Sequence, residues 1–352
     1  MKPKYLSRLS NVYFSYLLGK QKTNYPPVKL WIETSSRCNL SCGLCLNRNL
    51  PPSQKSDMEF LLFKKIIDEA KDYVYEANLF HRGEPLLNPQ IVEMTEYASQ
   101  NKIKTGLYTN GAILTSELSR RLIKSGLDLI TFSFDGYTKE VYEKNRCGAV
   151  FEETLEKITG FLKEKRKLGF KKPLVHILAM EQDADTSPEQ FALQKKEFIK
   201  RFKDIPPDRF VTRKPHNWGG SLDTGKFRFI TREPHSWRGS LHAGKMTESK
   251  KDTTKFIACT FPWYALVVLQ DGKVSPCPQD FYGNMIVGDV NTETVEAIFN
   301  NEKMQAIRKA FKNKNIENLN ICKDCDRCRR ETFLGVPKEY LKKFMKDSIL
   351  KN

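Results

Sequence analysis

Three cysteines stand close together early in the chain, in the run Cys38-Asn39-Leu40-Ser41-Cys42-Gly43-Leu44-Cys45. Thiolates spaced Cys-x3-Cys-x2-Cys suit a soft metal, and iron–sulfur clusters in particular. Structural zinc would want a fourth Cys or His nearby, and none follows within twenty residues. Three ligands on a four-iron cluster leave one iron open to bind something else. A second set follows far downstream: Cys259, Cys277, Cys322, Cys325 and Cys328. Five thiols suffice for one fully ligated cluster with one to spare, although spacing alone leaves a four-thiolate zinc site open. The ninth, Cys147, stands alone and is expected to be a small buried hydrophobe. Nine is an odd count falling in two groups, which in a reducing compartment reads as metal ligation rather than disulfides.

Two further side chains invite chemistry. His81 falls at a strand end, where it could act as a general base or bind substrate. Asp280, three residues past Cys277, could face the same cavity. His176 sits within an apolar strand and reads as a satisfied interior residue.

The elements that must position these residues alternate. Residues 28–33 read as a strand, and Ser56-Asp57-Met58-Glu59 as a capping box opening a helix whose apolar face uses Phe60, Phe63, Ile66 and Ile67. Further strands are expected at 75–80, 103–108, 128–134 and 173–179, and a sixth near 208–212. Helices are expected from about Pro89, at 115–125, 138–145 and 151–168, and after Ser187-Pro188. Strand and helix recurring every ~30 residues imply right-handed βα units and a parallel sheet. The special residues fall just after strands, where a parallel sheet or barrel places its site.

From Cys259 onward the pattern changes to short strands, with Asp271-Gly272 as a hairpin turn. Between the two regions lies a tandem repeat. Residues 212–230 and 231–249 agree at ten of nineteen positions, and two copies are too few for a solenoid. The repeat reads as a duplicated surface loop, with His216/Trp218 and His235/Trp237 as the alternative grip for a ring-bearing substrate.

The triad after a first strand resembles the radical S-adenosylmethionine (SAM) superfamily, whose unique iron chelates the amine and carboxylate of SAM. Other matches arrive in the family's order at successive strand ends. Gly83-Glu84-Pro85 resembles the motif whose backbone carbonyls receive the SAM ammonium, with Arg82 where a first Gly is commoner. Thr109-Asn110-Gly111 and Ser133-Phe134-Asp135-Gly136 follow the next two strands, adding Asn110 and Asp135 to the expected cofactor-binding set. By resemblance Ser133, with Arg146 downstream, holds the methionyl carboxylate, which suits an Arg. The family often places an aromatic beside the last Cys to contact adenine; here Leu44 and Leu46 stand there. The second set resembles the SPASM/twitch extension that binds auxiliary four-iron clusters, with Cys259, Cys277, Cys322 and Cys325 as ligands and Cys328 as substitute or bystander.

The resemblance implies a partial (β/α)6 TIM-type barrel followed by a small C-terminal iron–sulfur domain closing its mouth. The expected divisions are a basic arm at 1–27, the barrel at 28–211, the repeat at 212–258, the auxiliary domain at 259–335 and a basic tail at 336–352. It further implies reductive cleavage of SAM to a 5′-deoxyadenosyl radical, one auxiliary [4Fe-4S] cluster, and an electron donor such as flavodoxin or ferredoxin. The expected substrate is a small polar molecule (a sugar, aminocyclitol or nucleotide-sugar) undergoing net oxidation. A peptide-modifying maturase is the alternative, disfavoured by the short stretch before the first strand. A non-enzymatic iron–sulfur protein is the reading of another class.

The chain has 352 residues, 59 Lys and Arg against 42 Asp and Glu, and a net charge of +17. Such an excess invites a nucleic-acid reading until its distribution is followed. Residues 1–32 carry six basic groups and no acid, whereas 33–194 balance 22 basic against 23 acidic. The site region is therefore neutral, and no nucleic-acid partner is expected. The peripheral charge reads as a rim for an anionic substrate or a weak hold on an acidic membrane surface. No apolar run is long enough for a transmembrane helix and no secretory signal is present, so a cytoplasmic location is expected.

Overall fold

A computed structural model describes residues 3–43, 45–180, 186–213, 256–329, 332–333 and 336–337. Nearly all of the tandem repeat, the basic tail and Leu44 lie outside the described residues. Six parallel strands appear where alternation placed them: β1 (Lys29–Ile32), β2 (Glu76–Asn78), β3 (Lys104–Thr109), β4 (Leu129–Ser133), β5 (Leu174–Met180) and β6 (Arg209–Arg213). They neighbour one another in chain order, the arrangement that repeated right-handed βα units produce. Helices α2 (Phe60–Ala70), α3 (Ile91–Gln100), α4 (Ser116–Lys124), α5 (Lys139–Asn145), α6 (Phe151–Lys167) and α7 (Pro188–Lys200) connect them. The core runs along the strands through Leu30, Ile32, Ala77, Leu79, Leu107, Ile130, Phe132, Val175 and Ile177, all essentially inaccessible. Thr115, Thr138 and Ser187 cap α4, α5 and α7 by accepting from the backbone N–H three residues on.

Helix α2 corrects one expectation. It begins at Phe60 with Glu59 at the N-cap, and no side chain caps it. Ser56 and Asp57 are engaged elsewhere: Asp57 bridges to Ser35 and pairs with Arg37, while Ser56 N donates to Ser36 Oγ at 2.9 Å. The loop leaving β1 thus claims the residues that would have formed the box. The face of α2 is as expected at Phe63, Ile66 and Ile67, which are fully buried, whereas Phe60 is only half-buried.

The C-terminal region does more than follow the barrel. Strand β7 (Ala265–Val268) pairs in parallel with β1, and β8 (Lys273–Ser275) and β9 (Gly288–Asp289) continue antiparallel, making one nine-stranded sheet. The turn at Asp271-Gly272 forms as expected, with Gly272 at φ +93°. Two helices unread in the sequence, α8 (Val295–Asn300) and α9 (Glu302–Lys312), pack behind it.

The basic arm contains helix α1 (Pro3–Leu17). Arg8 donates to the Tyr73 and Asp72 carbonyls before β2, and Tyr16 packs edge-on against Trp263 before β7. Both anchors precede parallel strands, so α1 lies at the end opposite the strand exits. The arm's charge therefore does not rim the site.

Candidate cofactor site

The triad occupies the loop leaving β1, and its neighbours hold that loop from three directions. Ser41 N donates to the Cys147 carbonyl at 3.0 Å, and Gly43 N to the Asn145 carbonyl at 3.3 Å. Asn110 Nδ2 donates to Asn39 Oδ1 at 2.9 Å, tying in the exit of β3. Asn47 Nδ2 bridges the carbonyls of Ser36 (2.7 Å) and Arg82 (3.1 Å). Burial raises all three thiols, Cys38 to about 12; Cys45 and Cys42 raise Cys38 further, and Cys45 raises Cys42. The three partly buried thiols therefore lie near one another, and a metal bound there would displace their protons.

The strand-end motifs converge on this loop. An added Cβ at Gly83 would stand 2.4 Å from the carbonyl oxygens of both Ser35 and Arg37, so only glycine permits this approach. Glu84 N donates to the Arg37 carbonyl at 2.7 Å. The buried Glu84 carboxylate accepts from Thr109 Oγ1 (2.6 Å), Asn110 N (2.7 Å) and Leu86 N (3.1 Å), binding the exits of β2 and β3 together. Desolvation raises its pKa and these bonds oppose the rise. Pro85 opens the short turn that follows and is buried.

Ser133 ends β4 half-buried. Arg146 pairs with Asp135 at 2.5 Å, and its Nη1 lies 3.8 Å from Cys42 Sγ. Its Nε is buried and has no hydrogen-bond partner among the described residues. An unsatisfied guanidinium N–H beside the Cys42 thiol fits an anionic group. The site thus suits a three-thiolate cluster with SAM. Cys147 departs from expectation: it is exposed, with Sγ near the Lys144 carbonyl, and its backbone rather than its thiol serves the loop.

The downstream cysteines also gather. Burial raises Cys322, and Cys277, Cys328, Cys259 and Cys325 all raise it further, so the other four thiols lie near it. Among the described residues no three His, Cys, Asp or Glu side chains close on a point as one metal ion requires. Asp280 corrects another expectation. It is buried, with both oxygens engaged by Ser275 Oγ (2.9 Å), Asn284 N (2.7 Å) and Met285 N (2.9 Å). These bonds organise its own loop instead of presenting a free carboxylate to a cavity. The next residues, Phe281 and Tyr282, pack with Cys45, Leu46 and Leu50, joining the auxiliary loop to the first triad's loop.

His81 leaves β2 half-buried, 6.1 Å in ring separation from Phe281. Its Nε2 is buried without a partner among the described residues. Desolvation lowers its pKa to about 4, so the imidazole is neutral at ordinary pH. Beside it is a network that sequence reasoning missed. Arg82 Nε and Nη2 donate to Glu33 Oε1 (2.7 Å) and Oε2 (2.5 Å), and Nη2 also donates to Gln270 Oε1 at 2.7 Å. Gln270 Nε2 reaches the Gln54 carbonyl at 3.1 Å. The available signals were an acid ending an apolar strand and an Arg in place of a glycine.

A partial parallel barrel with a three-thiol loop at its strand exits, and a second thiol set beside it, defines an iron–sulfur protein of the SAM-binding kind. A family model described as "Radical SAM superfamily" matches residues 32–180, and one described as "Iron-sulfur cluster-binding domain", SPASM, matches 259–326. The chain thus carries a radical SAM domain followed by a C-terminal SPASM domain, which imply a SAM-chelating [4Fe-4S] cluster and auxiliary iron–sulfur binding. It is 29% identical over 150 residues to the tungsten-containing aldehyde ferredoxin oxidoreductase cofactor-modifying protein of Pyrococcus furiosus, a stretch covering 42% of each chain. It is 28% identical over 119 residues to the PqqA peptide cyclase of Gluconobacter oxydans, covering 34% of this chain and 33% of that one. The match thus spans between a third and about two fifths of these curated relatives. BtrN in complex with AdoMet and 2-DOIA shares the fold at 18% identity and TM-score 0.53, covering 85% of this chain and 92% of that one. No helix among the described residues is long and apolar enough to cross a membrane.

Proposed function

We propose that the protein is a radical SAM oxidoreductase that removes a hydrogen atom from a small polar substrate (a sugar, aminocyclitol or nucleotide-sugar) and completes a net two-electron oxidation. The observation that carries this reading is the single five-thiol set joined through Phe281 and Tyr282 to Cys45. When bound, the cofactors supply a 5′-deoxyadenosyl radical that takes the hydrogen atom, and an auxiliary cluster able to accept the second electron. Cys38, Cys42 and Cys45 hold the first cluster, and Cys259, Cys277, Cys322 and Cys325 the auxiliary one, with Cys328 close to Cys322. The Gly83-Glu84-Pro85 backbone, Asn110, Ser133, Asp135 and Arg146 form the SAM cradle, where the free Nε of Arg146 receives the carboxylate. Neutral His81 offers its unpartnered Nε2 to a substrate hydroxyl, and the proton released on oxidation passes to solvent, which balances the reaction with the hydrogen atom and the electron. A flavodoxin or ferredoxin supplies the initiating electron.

A second reading, modification of a peptide, is favoured by the 28% identity to a PqqA peptide cyclase. Reconstituted protein is assayed anaerobically for 5′-deoxyadenosine with deuterated sugars, aminocyclitols, nucleotide-sugars and peptides. Deuterium entering 5′-deoxyadenosine from a small polar substrate is the expected result. Transfer from peptides alone overturns it in favour of the second reading.

A further inference from the structure

The surface of α1 turned away from the barrel is apolar at one end. Three of the nine exposed large hydrophobic residues among those described fall within five positions: Phe14 (57% exposed), Leu17 (45%) and Leu18 (61%). At 100° per residue they share one arc, opposite Arg8, Val12, Ser15 and Tyr16, which face the protein. The helix cannot roll to hide them. Arg8 holds the Tyr73 carbonyl at 2.9 Å, Tyr16 Oη the Ala258 carbonyl at 2.8 Å, and Trp263 Nε1 the Lys20 carbonyl at 2.9 Å. The end of α1 is closed by bonds from Gly19 N to the Tyr16 carbonyl and from Lys20 N to the Ser15 carbonyl, with Gly19 at φ +58°. Gly19 lies so close to Lys312 that an added Cβ would stand 2.8 Å from its side chain.

The charged residues next to this tip in the chain are all basic. Lys20 and Lys22 follow it, both exposed, Lys312 flanks it, and no acid occurs in residues 1–32. Apolar side chains set in a basic collar match the interface of an anionic bilayer, where the apolar groups enter the headgroup boundary and each lysine adds roughly fivefold in binding. An acidic protein partner would satisfy the lysines and leave three large apolar groups without a specific counterpart. We infer that the Phe14, Leu17 and Leu18 tip with its lysine collar docks the protein on an anionic membrane surface. Because α1 lies at the end opposite the strand exits, docking leaves the cofactor site open to solvent and its substrate. The inference is independent of the substrate class proposed above.

The test is co-sedimentation of the reconstituted holoprotein with vesicles of phosphatidylcholine alone or with about 30% phosphatidylglycerol. The expected result is at least roughly tenfold tighter binding to the anionic vesicles, weakening as salt is raised. Combined Phe14→Ser, Leu17→Ser and Leu18→Ser loses about tenfold or more of that binding, and Lys20→Glu with Lys22→Glu loses it similarly. Both variants retain the iron absorbance of the parent, which shows that they fold. No preference for anionic vesicles, or unchanged binding by the serine variant, overturns the inference. A lipid-independent dimer that the serine variant converts to monomer also overturns it, assigning the tip to a second copy.

Discussion

Arg82 and Glu33 form a two-pronged ion pair at 2.7 and 2.5 Å, with side chains only 3% and 0% exposed, at the exits of adjacent strands. Gln270 completes it from the hairpin between β7 and β8. A pair so placed fixes the auxiliary region against the barrel by directional bonds. Arg82→Ala leaves the Glu33 carboxylate buried and unpaired, and should lower stability by about 3–5 kcal/mol. Replacing both with Met should cost much less. Urea unfolding of the two variants beside the parent distinguishes these outcomes.

Gly83→Ala tests the cradle. The new Cβ meets two backbone carbonyls at 2.4 Å, and neither can move without shifting the loop that leads to Cys38. SAM affinity, measured by equilibrium dialysis, should fall by about tenfold or more, equivalent to at least ~1.4 kcal/mol. An alanine variant binding SAM normally would show that the backbone here is not part of the cradle.

The two thiol sets should separate in an iron count. Anaerobic reconstitution is expected to load about eight irons per chain, and replacing Cys38, Cys42 and Cys45 together by Ala should leave about four. That variant should form no 5′-deoxyadenosine. Replacing Cys277 and Cys322 should also leave about four irons while retaining SAM cleavage. About four irons with one zinc in the parent would refute an auxiliary cluster.

His81 gives a pH signature. Burial lowers its folded pKa to about 4 from 6.5. Below the unfolded value the unfolded chain takes up a proton that the folded chain refuses. The His81 contribution is therefore intact above about pH 6.5 and is lost as pH falls toward 4, by as much as roughly 3 kcal/mol. His81→Gln should remove that component, so the stability difference between parent and variant shifts between about pH 7 and pH 5. A constant difference would place His81 in solvent.

Much of the barrel was legible because its signals are local. Apolar runs ending in Gly83-Glu84-Pro85, Thr109-Asn110-Gly111 and Ser133-Phe134-Asp135-Gly136 mark both the strands and their exits, and spacing alone groups Cys38, Cys42 and Cys45. Long-range relations were not legible. Pairing of β7 with β1 joins residues more than two hundred positions apart, and no local pattern encodes it. The Ser56 box failed because residues at 35–37 hold the backbone at Ser56 and Asp57 and pair with the Asp57 side chain. Asp280 was read as available because sequence does not show three donors from 275–285 converging on its carboxylate. Arg82 was a departure from a motif until Glu33 and Gln270 gave it partners.

The parallel seam between β1 and β7 also bears on synthesis. Until Ala265–Val268 leave the ribosome, one side of Lys29–Ile32 has no strand to pair with. At ~5–20 residues per second that interval lasts on the order of ten seconds or more. Throughout it the nascent chain carries an open strand edge beside three thiols. Loading of the first cluster and protection of that edge are thus both problems of the growing chain, and the C-terminal quarter closes the edge only when it arrives.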